Sequence, residues 1–167
     1  MEWQVEIFAE GFTLLMSVQL ELRMPPWEKP RPEDFPKSDP MSVFLPLFDS
    51  YAGPVRAKNM TNPRMSPILA DVEKLPERML LIVPALDILV HEQLSFVERV
   101  KKEINENGLD ESEGRSCEAL YLEGAFHGWL ELPVLNKALT EKKNVAFDAA
   151  IKHLQETHQK YGWRWSD

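Results

Sequence analysis

The sequence predicts an α/β protein, built on a mostly parallel sheet of about three strands with flanking helices. Three observations carry this. From residue 66 onward, apolar runs of strand length alternate with segments whose apolar residues recur at helical spacing. The run Met79-Leu-Leu-Ile-Val83 is apolar at every position, as a strand covered on both faces must be. The chain of 167 residues is 44% hydrophobic and 28% charged, an ordinary globular balance that suffices for one core.

The elements follow in order. Phe12-Thr-Leu-Leu-Met-Ser-Val-Gln-Leu20 reads as a buried strand, with room for a short helix before it. Residues 1–12 match no recognisable feature. Ten of the thirteen prolines then fall between Pro25 and Pro67. Proline lacks the N–H donor and fixes φ, so long regular elements are excluded there. One short helix survives around Met41 to Ala52, with Ser38 or Asp39 to cap it and Pro40 in its first turn. An irregular stretch of that length reads as a lid or as disorder.

The strand 79–83 is expected to end at Pro84. His91 to Asn107 reads as a helix, with Leu94, Val97, Val100 and Ile104 on its apolar stripe and Gly108 as its stop. Asp110 to Arg115 is a polar loop, and Cys117 to Leu122 is a second strand of this half. A last helix is expected from about Asn144 to Tyr161, with Phe147, Ile151, Leu154, His158 and Tyr161 on one stripe.

Composition excludes several classes of function. A net charge of −8 gives no electrostatic footprint for nucleic acid or an anionic membrane surface. Glu6, Glu10, Gln19 and Glu21 interrupt the first apolar stretch, so no membrane span is expected. Cys117 is the only cysteine, which rules out an internal disulfide. With no basic, signal-like N-terminus, the expectation is a soluble cytoplasmic protein. No zinc spacing and no phosphate-cradling glycine loop is present, so no cofactor and no metal are expected. His91-Glu92 lacks a second histidine four residues on, and His153 and His158 are five apart, on different faces.

Two residues stand out by position. Asp87 follows the strand 79–83, and His127 follows the strand 117–122 in Glu123-Gly-Ala-Phe-His-Gly-Trp129. In an open parallel sheet, ligands bind beyond the carboxyl ends of the strands. If those strands are neighbours, Asp87 can accept a hydrogen bond from one imidazole nitrogen and stabilise the charged ring when the other takes a proton.

The ordered set Ser66-Pro67-Ile-Leu-Ala70, Leu75-Pro76, Asp87-Ile-Leu-Val-His91-Glu92 and His127-Gly128 resembles the closing section of hormone-sensitive-lipase-like esterases, of the α/β-hydrolase fold. The likeness covers roughly residues 63 to 132. It implies a partial α/β-hydrolase fold, with Asp87 and His127 as triad acid and base and a small-molecule ester of short or medium acyl chain as substrate. His91 stands where the family has a second Asp, and Trp129 where it has Phe.

The nucleophile does not follow. In this fold it precedes the acid, in a Gly-x-Ser-x-Gly elbow. No such motif occurs here, nor a His-Gly-Gly-Gly loop for an oxyanion hole. Ser17, Ser38, Ser42, Ser50 and Ser66 precede Asp87, but none has the flanking glycines. Loss of a serine nucleophile costs on the order of 10⁶ in kcat, so hydrolysis by this chain alone is not expected.

The plainer readings remain beside these. Asp87 alone reads equally as a turn residue capping the next segment, and His127 as a loop histidine. Trp129 reads as an acyl-pocket residue or a packing aromatic, Glu92 as an orienting group or a solvated first-turn acid. Trp163 and Trp165 read as docking residues, and Cys117 as buried and inert. The expected organisation is a single truncated domain over 1–167, with 25–65 as lid or pocket segment and 66–167 as the strand-helix-strand-helix core. Truncating a parallel sheet exposes an edge, so the alternative to an esterase is an inactive pseudoenzyme or a module that self-associates through that edge.

Overall fold

The computed structural model describes residues 7–9, 12–16, 18–37, 40–110, 114–133 and 136–162. Its centre is a four-stranded sheet in the order β1 (Ile7–Ala9), β2 (Phe12–Met16), β3 (Arg78–Leu86), β4 (Ser116–Phe126). β2, β3 and β4 run parallel, and β1 adds antiparallel to β2. The helices are α1 (Leu45–Asp49), α2 (Val90–Glu106) and α3 (Lys137–Lys160).

β3 organises both layers because its side chains alternate between two clusters. Met79, Leu81 and Val83 face Phe96, Val97, Val100 and Ile104 of α2, joined by Val18, Leu20 and Cys117. Leu80 and Ile82 face the other way, onto Leu122, Ala125, Trp129 and α3's Ala146 and Ala150. Burying each of these Leu, Ile and Val side chains stabilises the fold by about 1.5–3 kcal/mol.

Several boundaries differ from the sequence reading. β3 does not stop at Pro84 but runs through it to Leu86. Among the described residues β2 pairs with β3 only as far as Met16↔Ile82, while β4 continues to Pro84↔Leu122. Pro84 thus lies where β3 is paired on one side, a position at which the missing N–H is tolerated. The first strand is Phe12–Met16 rather than 12–20, and a short strand, not a helix, comes before it. The helix near residue 41 is split into a 3₁₀ turn, Pro40–Phe44, and the five residues of α1. Its expected caps, Ser38 and Asp39, lie outside the described residues, as do Trp163 and Trp165.

The helices also differ in the faces they bury. In α2, Gln93 and Phe96 turn inward while Leu94 is exposed. α3 begins seven residues earlier than expected, at Lys137, where the Asn136 side chain accepts a hydrogen bond from Leu139 N at 2.9 Å. Its buried residues are Lys143, Ala146, Ala150, His153 and Thr157, whereas Phe147 and Ile151 are exposed. The small alanines let the helix approach the sheet. Lys143 lays its stem along that face and carries its ammonium to the carbonyl oxygens of Leu130 and Leu132.

The proline-rich segment is tied to this framework by polar contacts rather than by regular structure. Glu92, in the first turn of α2, is buried and accepts hydrogen bonds from Leu20 N at 2.7 Å and Glu21 N at 3.2 Å. The Lys29 ammonium, with a side chain 2% exposed, pairs with the same carboxylate. Burial pushes the Glu92 carboxyl above its ordinary range, against the pull of Lys29 and the two backbone donors. Ser66, fully buried, accepts from Leu22 N, and Arg56 joins Asp49 to Leu22 O.

Two expectations follow. Replacing Lys29 by Met leaves the Glu92 charge buried without its cation and lowers unfolding free energy by about 3–5 kcal/mol in denaturant titrations at neutral pH. That deficit shrinks as pH falls toward the carboxyl range, since protonation removes the stranded charge; a pH-independent deficit contradicts the assignment. His153, buried on α3 and beside Arg78, has its pKa held below the ordinary 6.5 by desolvation. The unfolded chain therefore takes up this proton first, so the contribution is intact above pH 6.5 and is lost below it. His153→Gln flattens the stability slope between about pH 6.5 and 5 relative to the parent, as thermal melts across that interval will read.

Candidate active site

The two parallel strands β3 and β4 end side by side, with Leu86 paired to Phe126. The next residue on each is a candidate: Asp87 and His127. Asp87 is 1% exposed. Its Oδ1 accepts from Leu89 N at 3.0 Å, closing a tight turn into α2, the turn Asp favours because its short carboxylate reaches the backbone two residues on. That leaves Oδ2 directed across the strand ends.

His127 Nδ1 lies 3.0 Å from Asp87 Oδ2. An ionised carboxylate only accepts, so Nδ1 is the donor and the ring is held in one tautomer. A hydrogen bond to a charged group of this kind contributes about 1.5–3 kcal/mol. The His-Gly-Trp turn explains how the imidazole comes to face outward. Gly128 adopts φ +72°, and Trp129 N donates to Phe126 O at 3.1 Å. With the chain reversed there, Trp129 enters the core and His127, its side chain 27% exposed, stays at the strand ends.

The structure therefore brings Asp87 and His127 together but sends the third candidate elsewhere. Trp129 is 1% exposed and packs with Leu80, Ile82, Leu122, Ala125, Ala146 and Ala150 on the α3 side of the sheet. The placement is that of a packing aromatic. His91 is exposed on α2, whereas its neighbour Glu92 is the buried clamp described above rather than a solvated acid.

The candidate serines have local tasks. Ser66 Oγ is engaged with Leu22 N and Glu21, and Ser50 Oγ donates to Leu47 O at 2.6 Å at the end of α1. Ser42 is exposed in the 3₁₀ turn, and Ser17 and Ser38 lie outside the described residues. Cys117 is 1% exposed in β4, and burial pushes its thiol up to about 12, which makes it a poor nucleophile. Among the described residues no three His, Cys, Asp or Glu side chains converge as a metal site would require, and no helix is long and apolar enough to cross a membrane.

One neighbour of the pair was not singled out in the sequence. The Phe48 ring of α1 lies against the His127 ring, with centroids 6.2 Å apart and planes inclined at 45°. The Phe44 ring lies 6.4 Å from that of Phe48, centroid to centroid. The only available signal was the spacing of two phenylalanines four apart on a short helix, which says nothing about a histidine 79 residues on.

No family model and no curated protein matches the chain. Solved structures do. The match to an esterase of Rhizomucor miehei has 18% identity and a TM-score of 0.61, over 90% of this chain and 43% of that one. The match to carboxyl esterase 2 of the mycorrhizal fungus Tuber melanosporum has 17% identity and a TM-score of 0.56, over 83% and 43%. The match to the hyperthermophilic esterase of the archaeon Pyrobaculum calidifontis has 21% identity and a TM-score of 0.55, over 86% and 43%. The chain thus spans less than half the length of each esterase. Parallel β2–β4 with helices on both faces, matched to that share of three esterases, make the described fold similar to part of the α/β-hydrolase fold of those esterases.

Proposed function

We propose that Asp87 and His127 are the acid and base of a serine-esterase triad, of the hormone-sensitive-lipase-like kind, acting on esters of short or medium acyl chain. The observation that carries this reading is the 3.0 Å contact between Asp87 Oδ2 and His127 Nδ1, made from loops that follow two adjacent parallel strands. With Nδ1 bonded to the carboxylate, Nε2 is the basic nitrogen. It takes the proton of a serine hydroxyl as that oxygen attacks the ester carbonyl, and returns it to the departing alkoxide. Asp87 holds the tautomer and stabilises the imidazolium formed between those steps. The serine and the oxyanion donors come from polypeptide beyond these 167 residues. Residues 1–167 are then one partial hydrolase domain of a cytoplasmic protein, with 25–65 forming a wall over the pair.

Hydrolysis of a short p-nitrophenyl ester tests the proposal. The 167-residue chain is expected to show no turnover that His127→Ala removes. In a polypeptide joining these residues to a strand–elbow–helix unit with Gly-x-Ser-x-Gly, His127→Ala is expected to lower kcat by about 10⁶ and Asp87→Asn by about 10⁴. Turnover by the short chain that His127→Ala abolishes places a nucleophile inside it. Turnover of the joined polypeptide that ignores His127 ends the proposal.

A second reading, a non-hydrolytic module that pairs through its sheet edge, is favoured by one feature. Among the described residues the sheet ends on β4 at one side and on three-residue β1 at the other. Sedimentation over a hundredfold concentration range is expected to reveal a dimer on this reading. A monomer throughout rejects it.

A further inference from the structure

We infer that Phe48 is a positioning residue for His127, and that the proline-rich segment is folded as it is in order to hold that ring in place. This rests on the reading of Asp87 and His127 as an acid–base pair. The contact is between rings, 6.2 Å between centroids at 45°, within the range where tilted aromatic pairs attract. His127 has two freedoms to lose, its rotation about the side chain and the access of water to its bond with Asp87. The Asp87 contact holds the ring at Nδ1, and the Phe48 contact bears on the ring itself. A ring packed on the imidazole restricts its rotation and displaces water from beside it, which strengthens the bond to Asp87.

A five-residue helix cannot hold such a position by itself. Its placement is imposed from both flanks. On the N-terminal side, Lys29 is locked to Glu92 in the first turn of α2, five residues beyond Asp87. On the C-terminal side, Arg56 grips Asp49 at the end of α1 and also donates to Leu22 O at 2.8 Å. Leu45 and Ala52, on either side of Phe48 in the chain, are buried. The anchor of Phe48 and the turn that presents Asp87 therefore share one helix terminus. A shift of that terminus moves Asp87 and Phe48 together.

The test reads the imidazole directly, in the 167-residue chain and without any nucleophile. Nitrogen-resolved NMR of ¹⁵N-histidine protein gives the tautomer of His127 and the exchange of its Nδ1 proton with water. In the parent, a single tautomer protonated at Nδ1 is expected, with slow exchange. Phe48→Ala is expected to speed that exchange about tenfold, the size an aromatic contact implies. Phe48→Tyr restores the slow rate, Phe48→Leu fills the volume without the ring and stays fast, and Leu47→Ala, an exposed position on α1, behaves as the parent. Equal rates in the parent, Phe48→Ala and Phe48→Leu overturn the positioning role while leaving the pair intact. Equal acceleration by Leu47→Ala shows general loosening and also overturns it. If the parent itself shows no protected Nδ1 proton, the acid–base reading falls, and this inference with it. Should Phe48→Ala fail to fold, the comparison of Phe48→Leu with Phe48→Tyr decides alone.

Discussion

The Glu92 carboxylate is the point through which the separate parts of this fold are joined. It sits in the first turn of α2, buried at 8% exposure, and meets three donors from the other half of the described chain: Leu20 N, Glu21 N and the Lys29 ammonium. A buried charge of this kind is unfavourable unless fully partnered. That condition makes the geometry specific, because the segment after β2, the proline-rich segment and α2 are each held to one position relative to the others. The neighbouring Gln93 donates to Val18 O at 2.9 Å and extends the same seam. With one five-residue α-helix and short 3₁₀ turns as the regular elements described between residues 18 and 77, apolar packing alone would leave that stretch many near-equivalent placements. The polar seam removes them.

What the sequence made legible follows from the range over which each signal acts. The strand at 79–83 and the helix at 91–107 were readable because burial on two faces and burial on one stripe leave local periodicities. Asp87 and His127 were readable as an ordered set of short motifs placed just after predicted strands. The Lys29–Glu92 pair was not, because its partners are 63 residues apart and each looks like an ordinary surface charge in its own neighbourhood. Phe48 escaped notice for the same reason. β1 has three residues, too few for any period to register.

The final helix shows a different failure. Its apolar stripe, Phe147 to Tyr161, is not the face that the fold buries; the structure turns Ala146, Ala150, His153 and Thr157 inward. Residue hydrophobicity ranks Phe147 and Ile151 above the alanines, yet the space between α3 and the sheet is set by close approach. At Ala146, 0% exposed, a larger side chain would have to push the helix away from Leu80 and Ile82. Periodicity identifies that a helix has two faces; which of them is buried depends on the volume available opposite, which no local pattern records. The same logic governs Trp129, whose residue type suits a pocket but whose turn, set by Gly128, delivers it to the core.

The pair at the strand ends is both a chemical unit and part of the fold. The Asp87 side chain has no solvent exposure, and the partners it has for its two oxygens are Leu89 N and His127 Nδ1. Removing the imidazole strands one oxygen of a buried carboxylate, so the loss is felt as stability as well as chemistry. Asparagine at 87 keeps the shape and removes the charge, and for that reason it separates the two effects where alanine at 127 mixes them. The arrangement also makes the pair independent of any nucleophile. Its supports are β3, β4, the α2 turn and the Phe48 wall, all within the described residues. On the proposed reading, an imidazole already oriented by these elements needs no reorganisation when a hydroxyl is brought to it, and in acyl transfer such pre-orientation is where a base gains most of its advantage over the same group in water.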